Sequence, residues 1–422
     1  MRSSPPLERA AIVGLALRRS TKTDAEHSLQ ELTGLAEAAG AAVVLQMIQE
    51  RPTPDPATFI GAGKLDELAD ECVRVRADLV IFDNELTPAQ LRHIEDRVDR
   101  KVIDRTQLIL DIFARRARTR EGKWQVELAQ LKYLLPRLAG SGTALSRLGG
   151  GIGTRGPGET KLETDRRRIR QRIHAVSQEI DSIRQRRQHS QARRRKASVP
   201  LVALVGYTNA GKTTLFNLLT KESAEASNAL FVTLDPLVRQ VSLPDKRRLL
   251  LSDTVGFIDR LPHTLVAAFR ATLEQVAEAD LVLHVIDAAD PDRARHIEAV
   301  RRVLEEVGAA NVASMDVFNK CDLIEPDEAD RLRSRNPGAL CISALKARGR
   351  KEIIDAVAER LELDTRRVTL EFDEDSAEDR ETIARVYRHA RVVSHVTSNG
   401  RVAIEADVPR RVLDRVKAAG GR

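Results

Sequence analysis

Only three cysteines and a single tryptophan occur among the 422 residues, and aromatic side chains make up 3% of the chain. Cys72, Cys321 and Cys341 are far apart, and none has a neighbour at metal-ligand spacing. That excludes a disulfide-stapled scaffold or a zinc ribbon and fits a reducing cytoplasm. Long apolar runs are missing as well. The stretch Ala10 to Leu17 follows Arg9 but runs into Arg18-Arg19 without a small-residue cleavage pattern, so it is expected as a first β-strand, and no membrane span is expected. Charge is what the chain has in quantity, at 31% of residues, yet the net value is a modest +7. It is unevenly placed. Between Lys161 and Lys196 there are 13 basic residues against four acidic ones, which leaves the remainder slightly acidic. One localised surface for a polyanion is expected, not a generally basic protein.

The most informative stretch is Leu201 to Thr214, L-V-A-L-V-G-Y-T-N-A-G-K-T-T. An apolar β-branched run ends at Gly206, a turn of Tyr207, Thr208, Asn209, Ala210 and Gly211 follows, and Lys212-Thr213-Thr214 opens an amphipathic segment. Strand, loop and helix in that order, with this glycine and lysine spacing, make a phosphate loop. Its backbone N–H groups point inward at phosphate oxygens, and the helix N-terminus adds partial positive charge. Lys212 is expected on the β- and γ-phosphates and the Thr213 hydroxyl on Mg²⁺.

Further signals follow in order. Asp253-Thr254-Val255-Gly256 comes after an apolar strand, with Asp253 placed to hold Mg²⁺ and the Gly256 amide to sense a γ-phosphate. Asn319-Lys320-Cys321-Asp322 ends another strand. A carboxylate at Asp322 matches the N1–H and exocyclic amine of guanine, and adenine would leave it unpaired, so GTP is the expected substrate. Ser343-Ala344-Leu345 supplies amides for the guanine carbonyl.

Elsewhere the pattern sets an α/β fold in four parts. Residues 1–105 alternate strands and helices as a parallel α/β domain, with strands expected at Ala10–Leu17, Ala42–Met47, Thr58–Gly61, Leu79–Asp83 and Lys101–Ile103. Gly61-Ala62-Gly63-Lys64 lacks the full phosphate-loop spacing and is expected as a tight turn into a helix. Residues 106–198 form a basic antiparallel helical hairpin, its first seam running through Ile109, Phe113, Ala117, Trp124, Leu128, Leu131 and Leu135, with Trp124 in the core. Between its helices, residues 139–158 hold eight glycines. This loop, with Arg147 and Arg155, either inserts into a partner or is a linker. Gly151 to Gly156 matches a dinucleotide fingerprint only formally, since no strand precedes it. The arginine runs 166–168 and 193–195 favour a phosphate-backbone partner over a merely solvated face. Residues 199–363, which carry the nucleotide motifs, resemble a Ras-like GTPase domain, and 364–422 read as a small α+β unit closing with a helix over Pro409–Ala418.

The four nucleotide motifs together resemble translation-factor-class GTPases. Gly149 to Thr160 (G-G-G-I-G-T-R-G-P-G-E-T), Phe59-Ile60-Gly61-Ala62-Gly63-Lys64-Leu65 and Phe231-Val232-Thr233-Leu234-Asp235-Pro236 are similar to the HflX family of bacterial ribosome-associated GTPases. The resemblance implies docking on the large ribosomal subunit and its rRNA, with the glycine-rich loop near the peptidyl-transferase region, and GTP-dependent splitting or rescue of stalled ribosomes by a cytoplasmic monomer. It also makes Thr233 the switch threonine, its hydroxyl on Mg²⁺ and its amide on the γ-phosphate. Position 257, where Ras-like enzymes carry a water-orienting glutamine, is Phe257. Hydrolysis is therefore expected to be slow without a partner. Asn209 is either a turn residue or, as in some related GTPases, the ligand that brings in K⁺. Two other functions compete: an RNA-remodelling NTPase with the hairpin as clamp, which Asp322 opposes, and a tRNA-modifying GTPase, which would need a reactive cysteine.

Overall fold

The computed structural model describes residues 7–17, 22–138, 157–196, 199–221, 230–231, 233–235, 237–243, 248–259, 275–361, 365–373, 376–398 and 400–409. Val232, most of the glycine-rich stretch and the expected C-terminal helix lie outside them. Contacts divide the chain into two units: the first takes Met1–Gln191 with Glu225–Asp235 and Ile258–Thr272, the second the rest.

The first unit is built on a parallel sheet of order β2-β1-β3-β4, with β1 at Glu8–Leu17, β2 at Ala41–Arg51, β3 at Leu79–Phe82 and β4 at Lys101–Asp104. Ala10 to Ala16 and the whole of β3 are buried, as strands covered on both faces by helices must be. Helices α1 (Lys22–Ala38), α2 (Ala62–Arg74), α3 (Pro88–Val98) and α4 (Arg105–Arg116) form those covers. A Cβ at Gly14 of β1 would press on Leu29 of α1 at 3.1 Å, so that glycine sets how closely α1 lies on the sheet. Helix α3 starts where its sequence dictates: Pro88 follows Thr87, whose side chain and that of Gln90 cap each other's backbone. Asp104 caps α4 by accepting the Gln107 N–H at 2.9 Å.

The strand expected at Thr58–Gly61 is a turn. The Asp55 carboxylate accepts the Ala57 and Thr58 N–H groups, Asp55 and Phe59 exchange backbone hydrogen bonds, and Phe59 takes φ 66°. An aspartate that satisfies local N–H groups offers the backbone an alternative to a ladder. Gly61 then leads into α2, as the tight-turn reading requires.

Helices α5 (Arg120–Leu138) and α6 (Pro157–Lys196) pair antiparallel. Arg172 meets Glu127 while Arg120 meets Glu179, so the residue numbers run in opposite directions along the contact. The expected continuous first helix is broken at Ala117, which is extended at ψ 110°, and α4 belongs to the sheet's cover, with Ile109 and Phe113 buried there. The buried face of α5 is Gln125, Val126, Leu128, Ala129 and Tyr133, not Leu131 and Leu135. Trp124 is only partly buried, with the Arg172 guanidinium 5.1 Å above its ring.

The second unit carries a six-stranded sheet of order β10-β9-β8-β5-β7-β6. Its strands are β5 (Leu201–Val205), β6 (Leu237–Ser242), β7 (Arg248–Asp253), β8 (Leu281–Asp287), β9 (Ser314–Asn319) and β10 (Leu340–Cys341). Only β6 runs antiparallel to its neighbour. Helices α7 (Lys212–Thr220), α8 (Arg293–Glu306), α9 (Pro326–Arg335) and α10 (Arg350–Arg360) belong to the same unit, and Phe216 of α7 and Ile353 of α10 share a core with Val202, Leu251 and Leu283 of the sheet. A three-stranded antiparallel sheet ends the described chain, order β11-β13-β12 (β11 Thr365–Asp373, β12 Arg391–Ser398, β13 Arg401–Pro409), with α11 (Ala377–His389) contributing Val386 to its core.

Candidate nucleotide site

The carboxyl ends of β5, β7, β8, β9 and β10 gather the motif residues, which is where an open α/β sheet takes its ligands. The loop after β5 bends because Gly206 and Gly211 take φ values of 154° and 91° and Asn209 takes 60°. A side chain at Gly206 would run into the Val285 carbonyl, and one at Gly211 into the Asn319 amide. The loop is thus held to β8 and β9 at the positions where only glycine fits. Gly211 precedes α7 and carries no side-chain cap, which leaves the first N–H groups of that helix for an anion.

Lys212 is buried, its Nζ donating to the loop carbonyls of Gly206 at 3.0 Å and Tyr207 at 2.8 Å. Burial pushes its pKa down to about 8, with Asp253 pulling the other way. A buried cation held on loop carbonyls is poised to attract a phosphate. Beside it the Thr213 hydroxyl donates to the fully buried Asp253 carboxylate at 2.8 Å. Thr254 donates to the Leu204 carbonyl at 2.6 Å and Val255 is buried, so the β7 end is fixed against β5. A Cβ on Gly256 would lie 2.8 Å from the Thr208 methyl and 3.2 Å from Lys212 Nζ, so this backbone lies directly on the phosphate loop. Phe257 follows, its ring 1% exposed, and its backbone exchanges hydrogen bonds with Gly206 and Thr208. That side chain is core, turned to Val205 and Val282, and holds no polar group toward a water.

At the ends of β9 and β10, Asn319 Nδ2 donates to the Ala210 carbonyl at 2.9 Å while its Oδ1 accepts the Ala344 N–H at 2.9 Å. One buried amide thereby ties the phosphate loop, the Asn319–Asp322 turn and the Ser343-Ala344-Leu345 turn into one frame. Lys320 (φ 62°) pairs with Asp287 at 2.6 Å, a partner the sequence reading missed; its signal was an aspartate at the end of β8. Asp322 is half-buried and Leu345 is 77% exposed, while Ser343 and Ala344 are buried. Thr208 and Ala210 are buried, Tyr207 and Thr214 partly so, and Asn209 is exposed. Tyr207 stacks on His296 of α8 at 3.7 Å, another contact its sequence position does not show.

Phe231, Thr233 and Asp235 fall in the first unit. Phe231 packs edge-on against Phe113 at 4.7 Å. Asp235 accepts the Arg118 and Thr119 N–H groups at 2.8 Å each and the Thr119 hydroxyl, at the start of α5. Asp259, just beyond the Gly256 motif, offers its carbonyl to the buried Arg105 at 3.1 Å. Arg105 also pairs with Asp83 at 2.9 Å and with Glu31.

A phosphate-loop cradle tied through Asn319 to the Asn319–Asp322 and Ser343–Leu345 turns defines a class, the P-loop GTPases. Residues 201–320 match a family profile described as 50S ribosome-binding GTPase, residues 26–114 one described as GTP-binding GTPase N-terminal, and residues 116–194 its Middle Region. The chain is 43% identical to the GTPase HflX of Caldanaerobacter subterraneus over 97% of its own length and 93% of that protein's, and 48% identical to the GTPase HflX of Escherichia coli over 79% of each. It belongs to the HflX family of GTPases, and GTP hydrolysis is its activity. A crystal structure of a GTP-binding protein from Sulfolobus solfataricus with GDP matches at 24% identity and TM-score 0.43, over 84% of this chain and 99% of that one. Among the described residues no helix is long and apolar enough to cross a membrane.

Proposed function

We propose that this GTPase binds the large ribosomal subunit through its basic hairpin and splits or rescues stalled ribosomes while GTP is bound. The observation that carries the reading is the exposed basic face of α6. Arg167, Arg168, Arg170, Arg172, Arg184 and Arg186 are all exposed, and the pairs among them, such as Arg168 with Asp165 at 3.6 Å, lie on the surface where ion pairs are worth little. This exposed basic face can meet a phosphate backbone. The HflX relatives and the ribosome-binding description of the matched family point the same way.

In the nucleotide site, Lys212 neutralises the β- and γ-phosphates, the α7 amides hold the remaining oxygens, and the Gly256 N–H marks whether a γ-phosphate is present. Asp322 accepts from the guanine edge, and Ser343-Ala344-Leu345 supplies amides to its carbonyl. The Thr213 hydroxyl and the Asp253 carboxylate place two oxygens side by side in a buried setting, a donor set that suits Mg²⁺, and Thr233 would complete it. When bound, Mg²⁺ neutralises charge that develops between the β- and γ-phosphates. Phe257 gives the attacking water no hydrogen bond, so turnover waits on a group from the ribosome. Asn209, exposed beside the phosphates, is proposed as the residue through which K⁺ speeds hydrolysis over Na⁺.

The test is light scattering of 70S ribosomes mixed with the chain. With a non-hydrolysable GTP analogue the signal should fall as subunits separate, and with GDP it should not. Replacing Arg166, Arg167 and Arg168 by Gln should weaken ribosome binding about 10-fold or more at moderate salt while leaving GTP affinity unchanged. Ribosomes that remain intact in both nucleotides would contradict the reading.

A further inference from the structure

Two of the three cysteines, 20 residues apart in the chain, lie side by side where the base-reading turns meet. Cys321 precedes Asp322, and Cys341 ends β10 two residues before Ser343. Their backbones are laced together. Cys341 is in register with Phe318, the Ile342 N–H donates to the Phe318 carbonyl at 2.8 Å, and the Cys321 N–H donates to the Ile342 carbonyl at 3.0 Å. The Cys321 thiol donates to the Phe318 carbonyl at 3.3 Å and the Cys341 thiol to the Ala329 carbonyl at 3.7 Å, and both side chains pack against the same small apolar cluster of Ile286, Phe318 and Leu332. Both residues are half-buried free thiols, whereas Cys72 is fully buried in the first unit.

We propose that Cys321 and Cys341 form a reversible disulfide, made by exchange with a low-molecular-weight disulfide, which loosens guanine-nucleotide binding. The inference rests on Asp322 and Ser343-Ala344-Leu345 reading the base. Burial pushes the Cys321 thiol up to about 12, with Cys341 adding to the rise, so Cys321 resists ionising. Attack of the Cys341 sulfur on the small disulfide, with loss of its proton to solvent, forms the mixed disulfide and expels the first small thiolate. The Cys321 sulfur then attacks the mixed disulfide, releases its proton to solvent and expels the second small thiolate. Two protein thiols are oxidised, and one small disulfide is reduced to two thiols.

The bond brings the two sulfurs to about 2.0 Å from each other. The pull falls on a turn with little slack, because Lys320 already holds φ 62° and is tied to Asp287, and Asn319 is bonded to both neighbouring loops. Asp322, next along the chain, takes up the displacement. A carboxylate moved off the guanine edge loses paired hydrogen bonds that only good geometry provides.

The test uses the full chain, reduced and then treated with glutathione disulfide. Peptide mapping without reductant should find a Cys321–Cys341 link, GDP affinity should fall about 10-fold or more, and dithiothreitol should restore it. Cys321→Ser and Cys341→Ser should each bind GDP when reduced and show no change on oxidation. Should either variant fail to fold, the wild-type cycle of oxidation and reduction still decides the matter. No intramolecular link, or a linked protein with unchanged GDP affinity, overturns the proposal. A reduced chain that binds ATP as well as GTP overturns the base-reading assignment together with it, and shows this before any oxidant is added.

Discussion

The loops of the candidate nucleotide site and the segments next to its motifs in sequence are held in different ways. The grip is self-contained within the second unit: Asn319 ties three loops together, Phe257 is stitched to the phosphate loop, and Lys212 sits on loop carbonyls. Phe231, Asp235 and Asp259 lie in the first unit and take their partners there, at Phe113, Thr119 and Arg105. Affinity is thereby built into rigid, prearranged groups.

The comparison breaks most visibly at Arg105. Burial opposes its charge, and Glu31 and Asp83 more than offset that, so its pKa lies above the ordinary value. Arg105→Met would leave two carboxylates short of their cation and should destabilise the first unit by about 3–5 kcal/mol, read as a lower unfolding midpoint in denaturant. GDP affinity, set in the second unit, should change less than about twofold. An equal loss of both would show that the two regions are not separately held.

The grip itself is sharpened by pH. Lys212 has a folded pKa lowered by burial to about 8 from 10.5, so without nucleotide it loses its proton as pH rises through 8. A phosphate beside it favours the charged form, so binding takes up a proton above that pH. Nucleotide affinity should fall about 10-fold between pH 7 and pH 9, with proton uptake visible in calorimetry run in buffers of different ionisation enthalpy. A flat profile would mean that Lys212 does not meet the phosphates. The smallest effect belongs to Asp235→Ala, which removes the acceptor for two N–H groups at the start of α5. It should cost about 1 kcal/mol, a shift of a few degrees at most in melting temperature, again with GDP affinity retained.

What could be seen in the sequence follows from distance along the chain. The phosphate loop is legible because its requirements fall within nine consecutive residues, Gly206 to Thr214. Helix α3 is legible from end to end because Thr87, Pro88 and Gln90 mark its start locally. Thr58–Gly61 has the composition of a strand but folds as a turn because an aspartate three residues upstream outcompetes β-propensity, and the break between α4 and α5 is hidden in the sequence because Asp235, more than 100 residues away, holds the turn between them. Lys320 with Asp287, Arg105 with Asp259 and Cys321 beside Cys341 join stretches whose proximity only the folded sheet creates.

The central claim is that Asp322 selects guanine within a frame already assembled by Asn319. The most direct measurement is equilibrium binding of Asp322→Asn to GTP and to xanthosine triphosphate, whose base carries a carbonyl in place of the guanine amine. The account predicts that GTP affinity falls by about 100-fold, near the cost of charge-assisted hydrogen bonds lost at a buried base, while xanthosine triphosphate binds better than to the wild type. Unchanged GTP affinity in a folded variant would contradict it.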